Sequence, residues 1–322
     1  MTVGRRERAR AANLSLYLIS AALLYVACAA QGGGSAVDAA ALQRAVTRAM
    51  SGKAGTAVVI DVATGRVLAA YHPDVAARRL ALPGSVIKPF TLLTLLESDK
   101  VDAHTALMCK RPLTIAGHNL ECSHPVRNQP LAPAAALAYS CNSYFTSVAT
   151  GLTPVELRNS FLRYGFGTPT GMASGEATGA ISLAGTQAEL QLQAVGEWGV
   201  QVTPLELLRG YRDLALSSRR HDAKLAPLFD GLEESVSYGM GHRAQPDGAM
   251  KVAGKTGTSV VEEGSWRHGW FAGYAPADKP EIALVVFLEK GRGPLDAASA
   301  ARVIFAAHAA AMHPTGAPGA VH

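Results

Sequence analysis

The 322-residue chain is 48% hydrophobic and 17% charged, the balance of a globular protein with a large core. Its formal charge is +5, but Arg5, Arg6, Arg8 and Arg10 against Glu7 carry +3 of it, leaving about +2 for everything else. So small an excess argues against a nucleic-acid surface, and no Walker loop, Rossmann fingerprint, common zinc-finger spacing or internal repeat is present.

From Ala12 to Ala30 no residue is charged, and Leu14, Leu16, Leu18, Leu23 and Leu24 make the run apolar. Behind a cluster of arginines this reads, over residues 1–30, as an export signal or a single membrane anchor. Ala27-Cys28-Ala29-Ala30 also suits cleavage after small residues. Cys28 adds a lipoprotein signal as a third and weakest option, because Tyr25 stands where a leucine is usual. Gly32-Gly33-Gly34-Ser35 makes residues 31–37 a flexible linker. The body of the protein is therefore expected outside the cytoplasm, membrane-anchored or free in the periplasm.

Ala36 to Met50 reads as a helix. Thr56–Ile60 and Arg66–Tyr71, joined by Asp61-Val62-Ala63-Thr64-Gly65, read as a β-hairpin. Next comes Pro83-Gly84-Ser85-Val86-Ile87-Lys88-Pro89-Phe90. Val86, Phe90, Leu93 and Leu96 recur at helical spacing, and Pro89 requires the helix to start only just before it. Ser85 then sits at the helix start with Lys88 one turn on, on the same face. A serine hydroxyl becomes a nucleophile when a neighbouring base takes its proton, and a lysine whose pKa is lowered can be that base. Ser-x-x-Lys occurs by chance in many proteins, and alone the stretch reads as an N-cap serine with a solvated lysine.

Between Lys100 and Pro133 the pattern is irregular and holds Cys109, His118, Cys122 and His124. Four potential ligands suggest zinc, but their spacing matches no common motif, and no resident metal is expected. A disulfide between Cys109 and Cys122 suits an exported protein better, with unpaired thiols as the remaining reading. Ala134 to Ala149 reads as one helix containing Ser140-Cys141-Asn142, two polar residues in an apolar context that need partners. Cys141 reads as a small buried filler.

Thr153-Pro154-Val155-Glu156 and Thr203-Pro204-Leu205-Glu206 are capping boxes, so Glu156 is expected to point at its own helix end. Residues from about 86 to 230 are predominantly helical. Lys251 to Thr258, Trp270 to Tyr274 and Ile282 to Leu288 read as three strands, with a turn at Glu262 to Ser265. Asp296 to Met312 reads as a helix, and residues 313–322 as a tail. Lys255-Thr256-Gly257-Thr258 offers a cation, hydroxyls and a backbone that a ligand can approach closely.

Ser85-x-x-Lys88, Ser140-x-Asn142 and Lys255-Thr256-Gly257, in this order and at these intervals, resemble the motifs of the penicillin-binding protein transpeptidase domain. The resemblance extends over residues 38–312, through Thr56–Ala70, Tyr164–Gly167, Val202–Leu205 and Trp270–Pro276. It departs at Gly196-Glu197-Trp198-Gly199, where a more compact glycine turn is usual. It implies an α/β (α+β) fold: a five-stranded antiparallel sheet flanked by helices, beside an all-helical subdomain spanning about 86–230.

It also implies that Ser85 attacks the carbonyl of a D-Ala-D-Ala stem peptide. Lys88 would accept the proton and Ser140 relay it to the leaving amine. Asn142 would orient Lys88 and bind the substrate amide. Lys255, Thr256, Gly257 and Thr258 would hold the substrate carboxylate, and the backbone N–H groups of Ser85 and Thr258 would form the oxyanion hole. No cofactor is implied. Peptidoglycan stem peptides and covalently trapped β-lactams are the implied ligands, with a glycosyltransferase or other wall-synthesis protein as partner for polymerisation. Alternatives are a D,D-carboxypeptidase, a class-D-like β-lactamase or β-lactam sensor, and an idle scaffold of a wall-synthesis complex. Intact Ser85, Lys88, Asn142 and Lys255 speak against the last. The capping role of Glu156 speaks against a deacylating carboxylate.

Overall fold

The computed structural model describes residues 38–260 and 266–312. The expected signal or anchor over 1–30, the linker over 31–37, the turn expected at Glu262–Ser265 and the tail over 313–322 lie outside them. Five strands form one antiparallel sheet: β1 (Gly55–Asp61), β2 (Val67–Tyr71), β7 (Ala253–Val260), β8 (Arg267–Ala275) and β9 (Ile282–Leu288), ordered β2-β1-β9-β8-β7. β9 is the middle strand. It pairs Ala57 with Val286 on one side and Phe271 with Val286 on the other. Every residue of β9 is buried, as a strand covered on both faces requires.

Strand periodicity divides the sheet residues between two cores. Val58, Ile60, Trp270, Ala272, Val285 and Phe287 face the main core, to which α8 (Pro204–Ser218) contributes Leu207, Leu208 and Tyr211. On the other face α1 (Ala39–Met50) packs with α10 (Ala298–Met312), and Phe271 meets Phe305 edge-on at 6.1 Å. Asp38 caps α1, its Oδ1 accepting from the Ala41 N–H at 2.9 Å.

Between β2 and β7 the chain is mainly helical: α2 (Pro73–Arg78), α3 (Lys88–Glu97), α4 (Pro133–Ala138), α5 (Asn142–Ala149), α6 (Pro154–Arg163), α7 (Gln187–Ala194), α8 and α9 (Ala226–Ser237). Two small two-stranded ribbons interrupt it, β3 (Thr114–Ile115) with β4 (His118–Asn119) and β5 (Ala180–Ile181) with β6 (Val200–Gln201). Central among the helices is α3. Phe90 meets Phe166 at 4.8 Å and Tyr211 at 5.6 Å, and the Tyr211 hydroxyl donates to the Val86 carbonyl at 2.8 Å. That packing fixes the segment immediately before α3.

Both capping boxes form, and a third, Thr186 with Glu189, opens α7. Glu206 does more than cap. Fully buried, its carboxylate accepts from the N–H groups of Gly167, Gly179 and Thr203, tying two loops to the start of α8.

Two expectations are corrected. The single helix over 134–149 is two helices, because Ser140 takes a left-handed φ of 55° after α4 and Cys141 becomes the N-cap of α5. Nor are Cys109 and Cys122 bonded. Both are free thiols with Sγ atoms 3.6 Å apart, against about 2.05 Å in a disulfide.

Candidate active site

Ser85 lies in a 3₁₀ turn, Gly84–Ile87, that runs directly into α3. The turn is pressed against β7. A Cβ on Gly257 would sit 2.5 Å from the Pro83 carbonyl oxygen, and one on Gly84, whose φ is +54°, would sit 2.5 Å from that of Thr258. Glycine is therefore required at both positions, and the Ser85 backbone is held beside Thr258. From behind, the Gly84 N–H donates to the Gly196 carbonyl at 3.0 Å. The Gly196–Gly199 loop, where the sequence departs from the family pattern, is thus remote in sequence and adjacent in space.

Lys88 is completely buried. Its Nζ donates to Asn142 Oδ1 at 2.5 Å, to the Ser140 carbonyl at 2.9 Å and to Ser140 Oγ at 3.3 Å, and lies 5.4 Å from the Phe145 ring centroid. The left-handed Ser140 turns its carbonyl toward Lys88, and Asn142, first residue of α5, supplies the side-chain oxygen. Asn142 is itself anchored, its Nδ2 donating to the Leu120 carbonyl at 2.7 Å. Ser85 Oγ is not among the hydrogen-bond partners of Lys88 in the described residues.

Burial pushes the Lys88 pKa down to about 8, against the opposing pull of Cys122, Cys141 and Glu197. Lys255 is also fully buried, and burial together with the charge of Lys88 pushes its pKa well below the usual lysine range. Its Nζ donates to the Thr256 carbonyl at 2.9 Å. Lys255 pairs with Ala272 and shares the face of Gly257, so its amine is buried on the Ser85 side of β7, near Lys88, and is not exposed on the cleft wall.

Ser85, Ser140, Asn142, Thr256, Gly257 and Thr258 share one cleft of about 690 Å³. The Thr258 hydroxyl oxygen accepts from the Gly293 N–H at 3.1 Å, which leaves its own proton free to donate into the cleft. Leu120, Glu121 and Ser123 form the opposite wall. Sequence reasoning missed four charged members: Glu121, Glu197, Arg267 and Arg292. Burial raises the Glu197 pKa to about 7, opposed by Lys88 and Arg267. The departure at Gly196–Gly199 was the available signal for Glu197. Glu156, by contrast, accepts from the Thr153 N–H at 2.7 Å, as its capping box requires.

The cysteines gather differently from expectation. His118 is exposed on β4, whereas Cys141 joins Cys109, Cys122 and His124 in one cluster whose ligand atoms lie within 4.8 Å of one another. Cys141 is a fully buried core residue, as expected, and is also a member of this cluster.

The model of the penicillin binding protein transpeptidase domain matches residues 55–309. A probable peptidoglycan D,D-transpeptidase PbpC of Pseudomonas aeruginosa is 27% identical over 299 residues, covering 77% of this chain and 51% of that protein. The peptidoglycan D,D-transpeptidase FtsI of Escherichia coli is 27% identical over 278 residues, covering 73% and 47%. This chain thus spans about half the length of the curated relatives it matches. Among solved structures, the D,D-transpeptidase domain of a peptidoglycan glycosyltransferase from Eggerthella lenta superposes with a TM-score of 0.73 at 22% identity, covering 85% of this chain and 82% of that one. The Pseudomonas aeruginosa PBP2 in complex with WCK 5153 gives 0.72 at 23% identity, covering 82% and 76%.

Proposed function

We propose, from the premise that this chain belongs to the penicillin-binding protein transpeptidase family, that it is a serine D,D-transpeptidase acting on D-Ala-D-Ala stem peptides in peptidoglycan cross-linking. The observation that carries this reading is the buried Lys88 amine, held by Asn142 and Ser140 on a cleft shared with Ser85. A pKa of about 8 keeps a useful fraction of the amine neutral near neutral pH. The neutral amine keeps two protons for Asn142 Oδ1 and the Ser140 carbonyl and presents a lone pair to the Ser85 proton. Ser85 Oγ then attacks the carbonyl between the two D-alanines. The Ser85 and Thr258 backbone N–H groups bind the developing oxyanion, worth about 3 kcal/mol per donor in other systems. Ser140 passes the proton to the leaving amine, the C–N bond breaks, and the acyl-Ser85 ester remains until an amine of a second stem peptide, or water, takes the acyl group.

Thr256 and Thr258 receive the substrate carboxylate, with the buried Lys255 amine next to them on the Ser85 side of β7 and Arg292 as a cation on the cleft itself. β-Lactams enter as substrate mimics. The setting proposed for this work is extracytoplasmic, with residues 1–30 as signal or anchor and a glycosyltransferase as partner. Among the described residues no helix is long and apolar enough to cross a membrane.

Peptide mapping after penicillin treatment tests the assignment. One adduct is expected, on the Ser85 peptide, and none in Ser85→Ala; an adduct persisting in that variant would refute the nucleophile. A second reading, hydrolysis of the β-lactam ester, has one observation in its favour, the Glu197 carboxylate on the cleft wall.

A further inference from the structure

Three thiols and an imidazole from three separate segments meet behind the Lys88 site. Cys109 precedes β3, Cys122 and His124 follow β4, and Cys141 lies inside the Ser140–Asn142 turn. Cys122 Sγ is 3.6 Å from Cys109 Sγ and 3.7 Å from Cys141 Sγ. A tetrahedral zinc ion with Zn–S bonds of about 2.3 Å spaces its thiolates about 3.8 Å apart. The sulfur separations are those of the edges of such a tetrahedron.

The histidine supplies the second, independent sign. His124 is 2% exposed, and its Nε2 is buried with no hydrogen-bond partner. Its Nδ1 lies 2.8 Å from the Pro125 carbonyl. Arg111 Nη2 lies 3.1 Å from the same Nδ1, so the bond to the Pro125 carbonyl is one of two open to that nitrogen; with the proton on Nδ1 the lone pair is left on Nε2, the usual arrangement around a metal-bound imidazole. A buried, unpartnered ring nitrogen is costly unless something occupies its lone pair. The sulfurs have matching outer partners. The Ser143 N–H points at Cys122 Sγ at 3.5 Å and the Tyr144 N–H at Cys141 Sγ at 3.4 Å, the direction that stabilises thiolates.

We propose that Cys109, Cys122, His124 and Cys141 bind one zinc ion in a closed tetrahedral site. Four protein ligands leave no open position, so the ion is structural. Binding displaces the thiol protons, leaving three thiolates and a neutral imidazole around the dication. The ion joins two parts of the cleft. One is the loop carrying Leu120, Glu121 and Ser123. The other is the turn that aims the Ser140 carbonyl and Asn142 at Lys88. The Asn142 bond to the Leu120 carbonyl crosses the same seam.

The inference is independent of the transpeptidase reading and is tested separately from it. The full chain, purified under reducing conditions and equilibrated with zinc, is expected to retain one ion per chain by plasma emission. Cobalt(II) in its place should give thiolate-to-metal charge-transfer bands and intense tetrahedral d–d bands. Cys109→Ser and His124→Ala should each weaken zinc binding at least a hundredfold. Chelation should lower the thermal midpoint and slow penicillin labelling while leaving the labelled residue unchanged. Should the variants fail to fold, the cobalt spectrum of the unaltered chain decides. Three free thiols with no ion after zinc equilibration, a Cys109–Cys122 disulfide in the protein as isolated, or undiminished zinc in the variants would each overturn the proposal.

Discussion

Lys88 and Glu197 titrate against one another. A neutral Lys88 is the base, so acylation should rise with pH along a limb centred near 8, the value to which burial lowers it. Ionised Glu197 holds the Lys88 pKa up, opposing burial. Glu197→Gln removes that negative charge and should move the ascending limb of second-order acylation by a reporter β-lactam to lower pH. Lys88→Ala should slow acylation by about a hundred- to ten-thousandfold at every pH. An unmoved limb in Glu197→Gln would mean that the two groups do not communicate. At this scale the sequence was legible where a motif encodes a contact, as with Lys88 and Asn142. It was not legible for Lys255, whose motif announces a cation but not that the amine is fully buried. Nor was it for Glu197, which reaches Lys88 only because Gly196 lets its loop lie against Gly84.

The break between α4 and α5 is the element on which the site turns. The alanine-rich sequence before Ser140 favours continuing the helix, and the left-handed Ser140 divides it. A non-glycine residue in that region costs about 1–2 kcal/mol. Ser140→Gly and Ser140→Ala both delete the hydroxyl, but only glycine relieves the backbone. Ser140→Gly should therefore be about 1 kcal/mol more stable than Ser140→Ala by denaturant unfolding, with acylation equally impaired in both. Equal stabilities would show that the strain is absorbed elsewhere. The strands and capping boxes were legible, since alternation and Thr-Pro-x-Glu spacing are local signals. The cysteine cluster was legible only in part, since Cys109, Cys122 and His124 fall in one irregular stretch as candidate ligands. Its members lie on three segments whose meeting depends on where α5 begins, and one of them, Cys141, looked like core.

For the whole molecule the question is how long the acyl-enzyme lasts. The groups that form the ester converge on Ser85, whereas the groups available to hydrolyse it are few. Glu156 is committed to its helix end. Glu197, with a pKa near 7, is about half protonated at neutral pH, and its ionised form faces the Lys88 cation. A β-lactam adduct should therefore persist for many minutes, measured by stopped-flow acylation followed by recovery of labelling. Sustained turnover on the order of 10 per second, abolished in Glu197→Gln, would replace the transpeptidase reading with a hydrolytic one.

The order of strands also has a temporal meaning. β1, near the start of the chain, pairs along its whole length with β9, near the end, Gly55 opposite Leu288 and Asp61 opposite Ile282. As the polypeptide is made from its N-terminus, the β1–β2 hairpin must wait with one edge unpaired until more than two hundred further residues have appeared. High contact order makes that closure slow and leaves the waiting edge open to aggregation and proteases. The floor beneath Ser85 is β7, an edge strand that enters the sheet only beside β8, which itself pairs with β9. Helical signal should therefore return first on refolding, and capacity to capture penicillin last, so that penicillin labelling counts only chains in which both ends have met.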